Sequence, residues 1–385
     1  IHGCDYLVAC QQRAADLGLP AGAIVHEIPN HPALIPQDHG QFVVALARAA
    51  RHIYEIDRRR ALDYLKRAVS AYGYLLQSTP ARLPHFAARL HGAPEGYHPT
   101  SLMTGDLLMR LWGAVELVKA GLPGYLDEAL RHARALLARQ IPQSAPEGGL
   151  YGHFYAFAEG GFSEKAFIHH HVGHDTGMIF NHHLVPLIEL CGLLPEHPEQ
   201  PRWRQAVHDF AYGYLLPACR RNPFWLLPQG TYGEHGILSF CGPWHGFNVC
   251  YGYAATLAIQ LEMFLGEPAF RQIAVGNLHW IAGLNSGLTA ESFEGSVMWR
   301  ESIAPGAAIA YSHIDGIGTR AVKTWSRIAG SIASGFCTNR QFQMEVEPNA
   351  ANDGPWRYSD EDWIPHAGGW VSGLTALRQI MGWSP

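Results

Sequence analysis

Apolar residues recur at spacings of three and four along most of the chain, whereas alternation with a period of two is almost absent. This spacing is typical of helices that bury one face. The clearest stripe joins Phe42, Leu46, Ala49 and Ile53, and the chain then turns at 55–58 into a second stripe. The pattern predicts a helical hairpin in an all-α protein.

Three further helix pairs and several single helices are predicted by the same spacing. The pairs are 108–115 with 125–140, 175–194 with 202–219, and 247–265 with 269–284, and the single helices are 4–17, 324–333 and 368–381. Repeated antiparallel pairs without a break in composition predict a single (α/α)6 toroid of helical hairpins over residues 1–385. The count of about eleven helices is one short of a complete six-hairpin ring. Long loops between the pairs, at one face of the ring, are expected to carry function.

Composition and motifs exclude several classes of function. The 385 residues are 48% hydrophobic and 16% charged, which excludes a disordered chain. The net charge of −5, without a basic cluster, predicts no nucleic-acid partner. No apolar run approaches the roughly 20 residues that cross a bilayer, so no membrane partner is expected. The chain contains no CxxC, GxSxG, P-loop or GxGxxG motif, which disfavours zinc ribbons, serine hydrolases, nucleotide-driven enzymes and dinucleotide dehydrogenases.

Three consecutive carboxylates, Asp360, Glu361 and Asp362, stand beside Trp363 just before the last predicted helix. Like charges repel and an aromatic wall desolvates, so at least one of these pKa values is expected to be raised. A carboxyl group that stays protonated near neutrality is what a general acid requires. A solvated acidic helix start is the alternative interpretation of the same residues.

Five short segments follow one another in a recognisable order: 3–7, 45–50 with 60–65, 252–257 with 277–285, 291–295, and Glu361 with 366–374. In the same order, they resemble the WGxDYLL helix, the AALAAAARVF…DPxYAxxLL hairpin, the paired helices, the SYVTG turn and the catalytic NExAIDYNAPFVGAL segment of glycoside hydrolase family 9. The resemblance implies an inverting glycoside hydrolase that acts on a β-linked oligo- or polysaccharide. It implies Glu361 as the general acid, with Asp360 and Asp362 as alternatives within the same motif.

The resemblance also implies a general base, an aspartate in a DAGD turn, which this sequence does not contain. In the family that turn lies one helix before the WGxDYLL helix. We therefore expect that these residues lack the first helix of the catalytic domain and any N-terminal β-sandwich, and that a second chain or segment supplies the missing part. Within the chain, Asp38 in 36–44 is the alternative base, although an aspartate at that position also suits a helix cap.

Histidines, aromatic residues and an arginine in the loops form a candidate substrate site, because sugars need flat apolar faces and groups that bond to hydroxyls. The alternative for each residue is packing of a loop on a helix. The candidates are His170, His174, Asp175, Tyr232, His235, Trp244, His245, Trp299, Arg300, Trp363 and His366. His170 and His174 are spaced to share a metal on a helix, but no HExxH set accompanies them, so we expect no metal. The family's PHHR segment has no match after Gly295, which favours a substrate other than cellulose.

The remaining expectations are drawn from the resemblance alone. Calcium is implied by the family only, since the sequence has no EF-hand-like loop. A secreted or periplasmic protein is favoured, although no signal peptide is visible in these residues.

Two rival functions remain open from the sequence. A polysaccharide lyase or uronate epimerase on the same toroid would use Tyr, His and Arg to abstract a proton, and 23 histidines and 16 tyrosines favour it. A non-catalytic glycan-binding subunit is the second rival, because half of the carboxylate pair is not in this sequence.

Overall fold

The structure is a computed structural model that describes residues 2–26, 28, 36–77, 101–102, 104–144, 149–155, 158, 175–176, 184–227, 248–287, 289, 310–318, 321, 323–335, 361–362 and 364–382. Its helices are α1 (His2–Asp16), α2 (Pro36–Ile53), α3 (Arg58–Gln77), α4 (Thr104–Lys119), α5 (Leu126–Leu137), α6 (Val185–Leu193), α7 (Gln200–Asp209), α8 (Leu216–Cys219), α9 (Asn248–Leu265), α10 (Ala269–Ala282) and α11 (Ile364–Met381). A 3₁₀ turn, Pro123–Tyr125, precedes α5, and a π-helical turn, Phe210–Leu215, joins α7 to α8. Two short antiparallel strands, β1 (Phe154–Tyr155) and β2 (Asp175–Thr176), complete the regular structure of this part of the chain. Among these helices, none combines the length and the hydropathy that crossing a bilayer requires.

Short turns fold consecutive helices into four pairs: α2 with α3, α4 with α5, α6 with α7, and α9 with α10. Local chemistry explains where the helices end and begin. Gly121 and Gly266 follow α4 and α9 with φ of 89° and 72°, the left-handed conformation that commonly terminates a helix. Asp57 accepts a hydrogen bond from the backbone N–H of Arg60 at 3.0 Å and so caps the start of α3. The four pairs are the hairpins that the apolar spacing predicts.

The pairs form two layers, with the first helix of each pair on the inside. Each first helix contacts the first helix of the next pair, in the order α2, α4, α6 and α9, and α9 then contacts α11. Helix α4 buries every residue from Thr104 to Leu117, whereas α5 buries one face that includes Ala129, Ala133 and Leu136. A helix that is buried all round lies inside, and a helix with one apolar face lies outside. This layering is the (α/α)6 architecture predicted from the sequence.

A cluster of charges around the buried carboxylate of Glu116 joins three inner helices. Glu116 of α4 is completely buried, and it accepts hydrogen bonds from Arg48 Nε at 2.7 Å and Arg51 Nη2 at 2.9 Å, both on α2. Glu189 of α6 binds Arg48 and Lys119, the latter at 2.8 Å. Burial raises the pKa of Glu189, but the Arg48 and Lys119 cations lower it by more, so this carboxylate stays ionised. Removing one partner would leave a buried charge uncompensated, so the cluster fixes how these helices meet.

Helices α9 and α11 run parallel and approach each other through glycines. A Cβ added at Gly252 would lie 2.3 Å from the carbonyl carbon of Gly369, and one at Gly373 would lie 2.8 Å from the carbonyl oxygen of Gly252. One turn further along, the hydroxyls of Thr256 and Ser372 are 2.8 Å apart. The two backbones therefore pack at a distance that only glycine permits, and this contact sets the position of the N-terminus of α11.

The structure corrects one predicted helix and two helix boundaries. The predicted helix 324–333 is wrong: that segment consists of turns and isolated bridges, including Ile314 with Ile332, so the count of about eleven helices from the sequence contained one wrong member. The predicted helix 175–194 begins at Val185, with Pro186 in its first turn, whereas 175–176 form strand β2. The last helix begins at Ile364, four residues before the predicted start at 368.

Replacing Gly252 with alanine should lower the free energy of unfolding by about 3 kcal/mol, because the new methyl group would meet the backbone of α11. Gly73→Ala in α3 is the matched control, since a Cβ there has nothing within 4 Å. That control should be neutral or stabilising by up to about 1 kcal/mol, because alanine favours a helix more than glycine does. Urea unfolding of both variants measures the difference, and equal stability of the two would contradict the close glycine contact.

Candidate active site

The residues before α11 are tied to the start of α9 by backbone hydrogen bonds. The N–H of Ser334 donates to the carbonyl oxygen of Glu361 at 2.7 Å. Asn248, the first residue of α9, donates its backbone N–H to the carbonyl of Ser334 and its side-chain Nδ2 to the carbonyl of Ala333, both at 2.9 Å. Glu361 is thus positioned by two inner helices and by the extended segment between them.

The side-chain carboxylate of Asp362 accepts hydrogen bonds from Ser326. Ser326 donates to it from its backbone N–H at 3.1 Å and from its hydroxyl. Burial raises the pKa of Asp362, but the hydrogen bonds from Ser326 and Ser331 outweigh burial and hold the pKa below its usual value. Asp362 is therefore not a carboxyl group with a raised pKa, and an ionised carboxylate of this kind is a poor proton donor. The expectation that at least one pKa in the acidic segment is raised stays a prediction.

Glu361 is the other described carboxylate of the acidic segment. Its side chain is partly buried, and its Oε2 atom is inaccessible to solvent. Of the remaining members of the predicted segment, Asp360 and Trp363 lie outside the described residues. Hydrogen bonds from two serines favour the ionised form of Asp362, so this residue of the pair is poorly suited to donate a proton.

Two histidines are buried beneath the acidic segment. His366 of α11 and His313 each expose 1% of their surface. Burial lowers the pKa of both imidazoles to about 3, so both are neutral at neutral pH. The ring of His313 packs edge-on against Trp280, with centroids 5.8 Å apart. His366 is thus enclosed by the protein in this structure, and its predicted contact with substrate stays a prediction.

Asp38 lies elsewhere, in the first turn of α2. Its Oδ2 atom is 2.7 Å from Nδ1 of His26, and both side chains are partly exposed. The neighbouring His39 is buried, accepts the backbone N–H of Ile24 at Nε2, and stacks on Tyr74. Among the described contacts, none brings Asp38 to Glu361.

Asp175 lies in strand β2 opposite Tyr155, and not at a helix start as the sequence suggested. The carbonyl oxygen of Tyr155 accepts the hydroxyl of Thr104 at 2.5 Å, so this short hairpin docks on the start of inner helix α4. The other predicted substrate-binding residues lie outside the described residues: His170, His174, Tyr232, His235, Trp244, His245, Trp299 and Arg300.

Sequence reasoning missed Asp106, in the first turn of α4. Burial raises the pKa of Asp106 to about 7, although Arg110 and Arg139 oppose the shift. Arg139 also donates to the carbonyl of Leu102 at 2.6 Å and to the hydroxyl of Thr104 at 3.0 Å. A carboxyl group that can be protonated near neutrality is therefore present at the start of α4. The sequence signal is a single aspartate within an otherwise apolar run, which is too common to single out.

The described part of the chain contains no group of three or more His, Cys, Asp or Glu residues that could hold a metal ion. The described residues therefore provide no fit for the calcium implied by the resemblance, and we derive no chemistry from a metal.

Comparison with solved structures identifies the same fold in glycoside hydrolases. The chain is similar to a metagenome-derived glycoside hydrolase family 9 endoglucanase, with a TM-score of 0.57 and 16% identity over 97% of this chain and 60% of that one. It is also similar to a Bacteroides ovatus GH9 protein (TM-score 0.54, 13% identity, 98% and 61% covered) and to the catalytic domain of Clostridium thermocellum CelT (0.53, 13%, 98% and 72%). The chain thus spans about 60% of the length of the first two. No protein-family model and no curated protein sequence matches it. At these identities, the likeness establishes a family 9-like (α/α)6 fold.

The neutral histidines predict how stability changes with pH. An imidazole in the unfolded chain titrates near pH 6.5, whereas those of His313 and His366 titrate near 3 in the folded protein. Between pH 6.5 and 3 the unfolded state binds protons that the folded state does not bind. The contribution of these two histidines to the free energy of unfolding is therefore complete above pH 6.5. It is lost as the pH falls toward 3, by about 1.4 kcal/mol per pH unit for each histidine.

His366→Gln should therefore reduce the slope of unfolding free energy against pH between 6 and 4 by about 1.4 kcal/mol per unit. Urea titrations of wild type and variant at several pH values give this slope, and background titrations common to both proteins cancel in the difference. An unchanged slope would show that His366 is protonated in the folded protein.

Proposed function

We propose that the protein is an inverting glycoside hydrolase that acts on a β-linked oligo- or polysaccharide, with Glu361 as the general acid. The observation that carries the proposal is the position of Glu361 on a family 9-like toroid. It lies directly before the last inner helix, in the segment that resembles the family's catalytic motif. The hydrogen bonds that Asp362 accepts from Ser326, together with its lowered pKa, favour Glu361 over Asp362 as the acid.

In an inverting reaction the acid protonates the oxygen of the leaving sugar while a carboxylate activates a water molecule on the opposite face. The two carboxyl groups stand about 6.5–9.5 Å apart to leave room for that water. Glu361 would supply the proton, and its backbone contacts to Ser334 would hold it in place. The buried, neutral histidines beneath it would carry no charge during the reaction.

We propose that the base is a carboxylate from outside these residues rather than Asp38. Two observations support this choice. Asp38 is bound to His26 at the start of α2. Helix α11 also exposes an apolar stripe, formed by Ile364, Val371, Leu374 and Met381, which suits contact with a further helix of the ring. Azide rescue of an Asp38→Ala variant tests the assignment, since a small anion can replace a missing base: restored turnover would identify Asp38 as the base.

Changing Glu361 to glutamine should lower turnover of an unactivated glycan by about 10²–10⁴-fold, because general acid catalysis is lost. Aryl glycosides with a nitrophenolate leaving group need less protonation, so their cleavage should fall much less. Sugar affinity should stay within a few-fold of wild type, since the amide keeps the shape of the carboxyl group. Initial rates and calorimetric titration measure the two effects.

Glu267→Gln is the matched control. Glu267 is also a partly buried glutamate at a helix start, where it accepts the N–H of Ala269, but it lies at the far end of α9, about 27 Å away along an 18-residue helix. This control should keep full turnover. Unchanged turnover in Glu361→Gln would contradict the assignment of Glu361 as the general acid. Products with a new C=C bond and near-ultraviolet absorbance would indicate a lyase instead. Sugar binding without turnover, even together with any co-purified chain, would indicate a binding subunit.

A further inference from the structure

The side chain of Asn248, the first residue of α9, is completely buried and is bonded at one end only. Its Nδ2 atom donates to the carbonyl oxygen of Ala333 at 2.9 Å, and its Oδ1 atom accepts no hydrogen bond in the described part of the chain. Asn277 of α10 is equally buried, but its Oδ1 accepts the N–H of Leu227 and its Nδ2 donates to the carbonyl of Trp225. A buried oxygen without a donor lowers stability. Stability alone therefore does not explain why an asparagine occupies position 248.

The bond from Asn248 reaches the candidate acid through a single peptide group. This group joins Ala333 to Ser334: its C=O accepts Nδ2 of Asn248, and its N–H donates to the carbonyl oxygen of Glu361 at 2.7 Å. A peptide group is planar and rigid, so its two ends turn together. Rotation of this plane would weaken both bonds at once. The side chain of Asn248 thus holds the backbone of Glu361 in one orientation.

The segment 333–334 is held by backbone bonds as well. The N–H of Asn248 donates to the carbonyl of Ser334, and the N–H of Ala333 donates to the carbonyl of His313, both at 2.9 Å. Ala333 and Ser334 are completely buried. Of these links to the segment, the bond from Nδ2 is the one that comes from a side chain. A point substitution can therefore remove it and leave the others in place.

A glycine makes room for the amide of Asn248. Gly335 has a φ of 105°, and a Cβ at this position would lie 2.8 Å from Nδ2 and 2.9 Å from Oδ1 of Asn248. Glycine permits both this backbone conformation and this close approach. The chain after Ser334 is therefore shaped around the side chain of Asn248.

We propose that Asn248 is a positioning residue for the reaction: its side-chain amide fixes the peptide group that holds the backbone of Glu361, and so sets where the acid stands. This inference rests on the proposed function, because it takes Glu361 as the general acid. Asn248 acts through Glu361 and is assigned no contact with the sugar. An error of about 1 Å in the position of a reacting group can lower a rate about 100-fold. Loss of this bond should therefore lower turnover more than it weakens binding.

The first test compares Asn248→Ala with the matched control Asn277→Ala, in preparations that keep any co-purified chain. The substrates are cellohexaose, laminarihexaose or xylohexaose, whichever the wild type cleaves, and the 4-nitrophenyl glycoside of the same sugar. We expect Asn248→Ala to lower kcat for the hexaose about 10–100-fold and to change KM less than about threefold. Its rate on the nitrophenyl glycoside should fall less than about threefold, because that leaving group needs little protonation. Asn277→Ala should keep the ratio of the two rates within about twofold of wild type.

The second test reaches the same amide from the other side. In Gly335→Ala the new methyl group would displace the amide of Asn248, so kcat for the hexaose should fall about tenfold. The same substitution should cost less in an Asn248→Ala background, where there is no amide to displace. Gly121→Ala is the matched control, since Gly121 has a φ of 89° but a Cβ there has nothing within 4 Å. This control should keep the kcat of the wild type.

Hydrogen exchange gives a measurement that needs no turnover. In Asn248→Ala the N–H of Ser334 should exchange about tenfold faster than in wild type, because the peptide group that carries it is released on its other side. In Asn277→Ala it should exchange at the wild-type rate. Mass spectrometry of fragments that cover 331–335 measures both rates.

The outcomes separate this inference from the proposed function. Equal exchange of Ser334 in Asn248→Ala and wild type would overturn the inference, and so would equal losses on the hexaose and the nitrophenyl glycoside. Unchanged hexaose turnover in Asn248→Ala, beside an impaired Glu361→Gln, would reject the inference alone. Full turnover in Glu361→Gln would reject the acid and the inference with it. A wild type that cleaves none of these substrates would also reject both.

Discussion

The close contact between α9 and α11 is the constraint on which the candidate site depends. Three glycines, Gly252, Gly369 and Gly373, allow the two backbones to meet without any Cβ between them. Each glycine inside a helix costs about 1 kcal/mol relative to alanine. The close approach of the two helices therefore comes with a local loss of helix propensity. Because the helices are parallel, the contact brings their N-termini to the same end. Asn248 and Glu361 then share the segment 333–334, and a shift of α11 would move the candidate acid directly.

Partners, and not burial alone, determine the charge of the ionisable groups at the starts of α4 and α11. Burial opposes ionisation of Asp362, Asp106 and His366 alike, yet the three outcomes differ. Asp362 receives hydrogen bonds from serines that favour its charged form, and its pKa falls. Asp106 has only the more distant influence of arginines, and its pKa rises to about 7. His366 receives too little from Asp362 to offset desolvation and stays neutral. The acidic segment therefore contains a fixed anion above neutral imidazoles.

The apolar spacing was sufficient to predict the hairpins because inner and outer helices are set by local periodicity. It was not sufficient for 324–333, where the structure is decided by residues far away in sequence: Asp315 binds Thr324, and Asp362 binds Ser326 across 36 positions. Asp106 was missed because burial raises its pKa, and the packing that buries it cannot be read from a single aspartate in an apolar run. Motif resemblance located the acidic segment, but only the hydrogen bonds of Asp362 distinguish it from Glu361. Side chains of the histidine-rich loops lie outside the described residues, and their roles stay predictions.

Asp362 connects the proposed acid to a turn that is distant in sequence. Its backbone is joined to Glu361, and its carboxylate accepts hydrogen bonds from the N–H and the hydroxyl of Ser326. The same turn is held on its other side by Asp315, which accepts the N–H and the hydroxyl of Thr324. A displacement of Asp362 would therefore move Glu361 and the turn together. Under the proposed function, the backbone of the acid is thus ordered before a ligand binds, and preorganisation of this kind lowers the cost of positioning in catalysis.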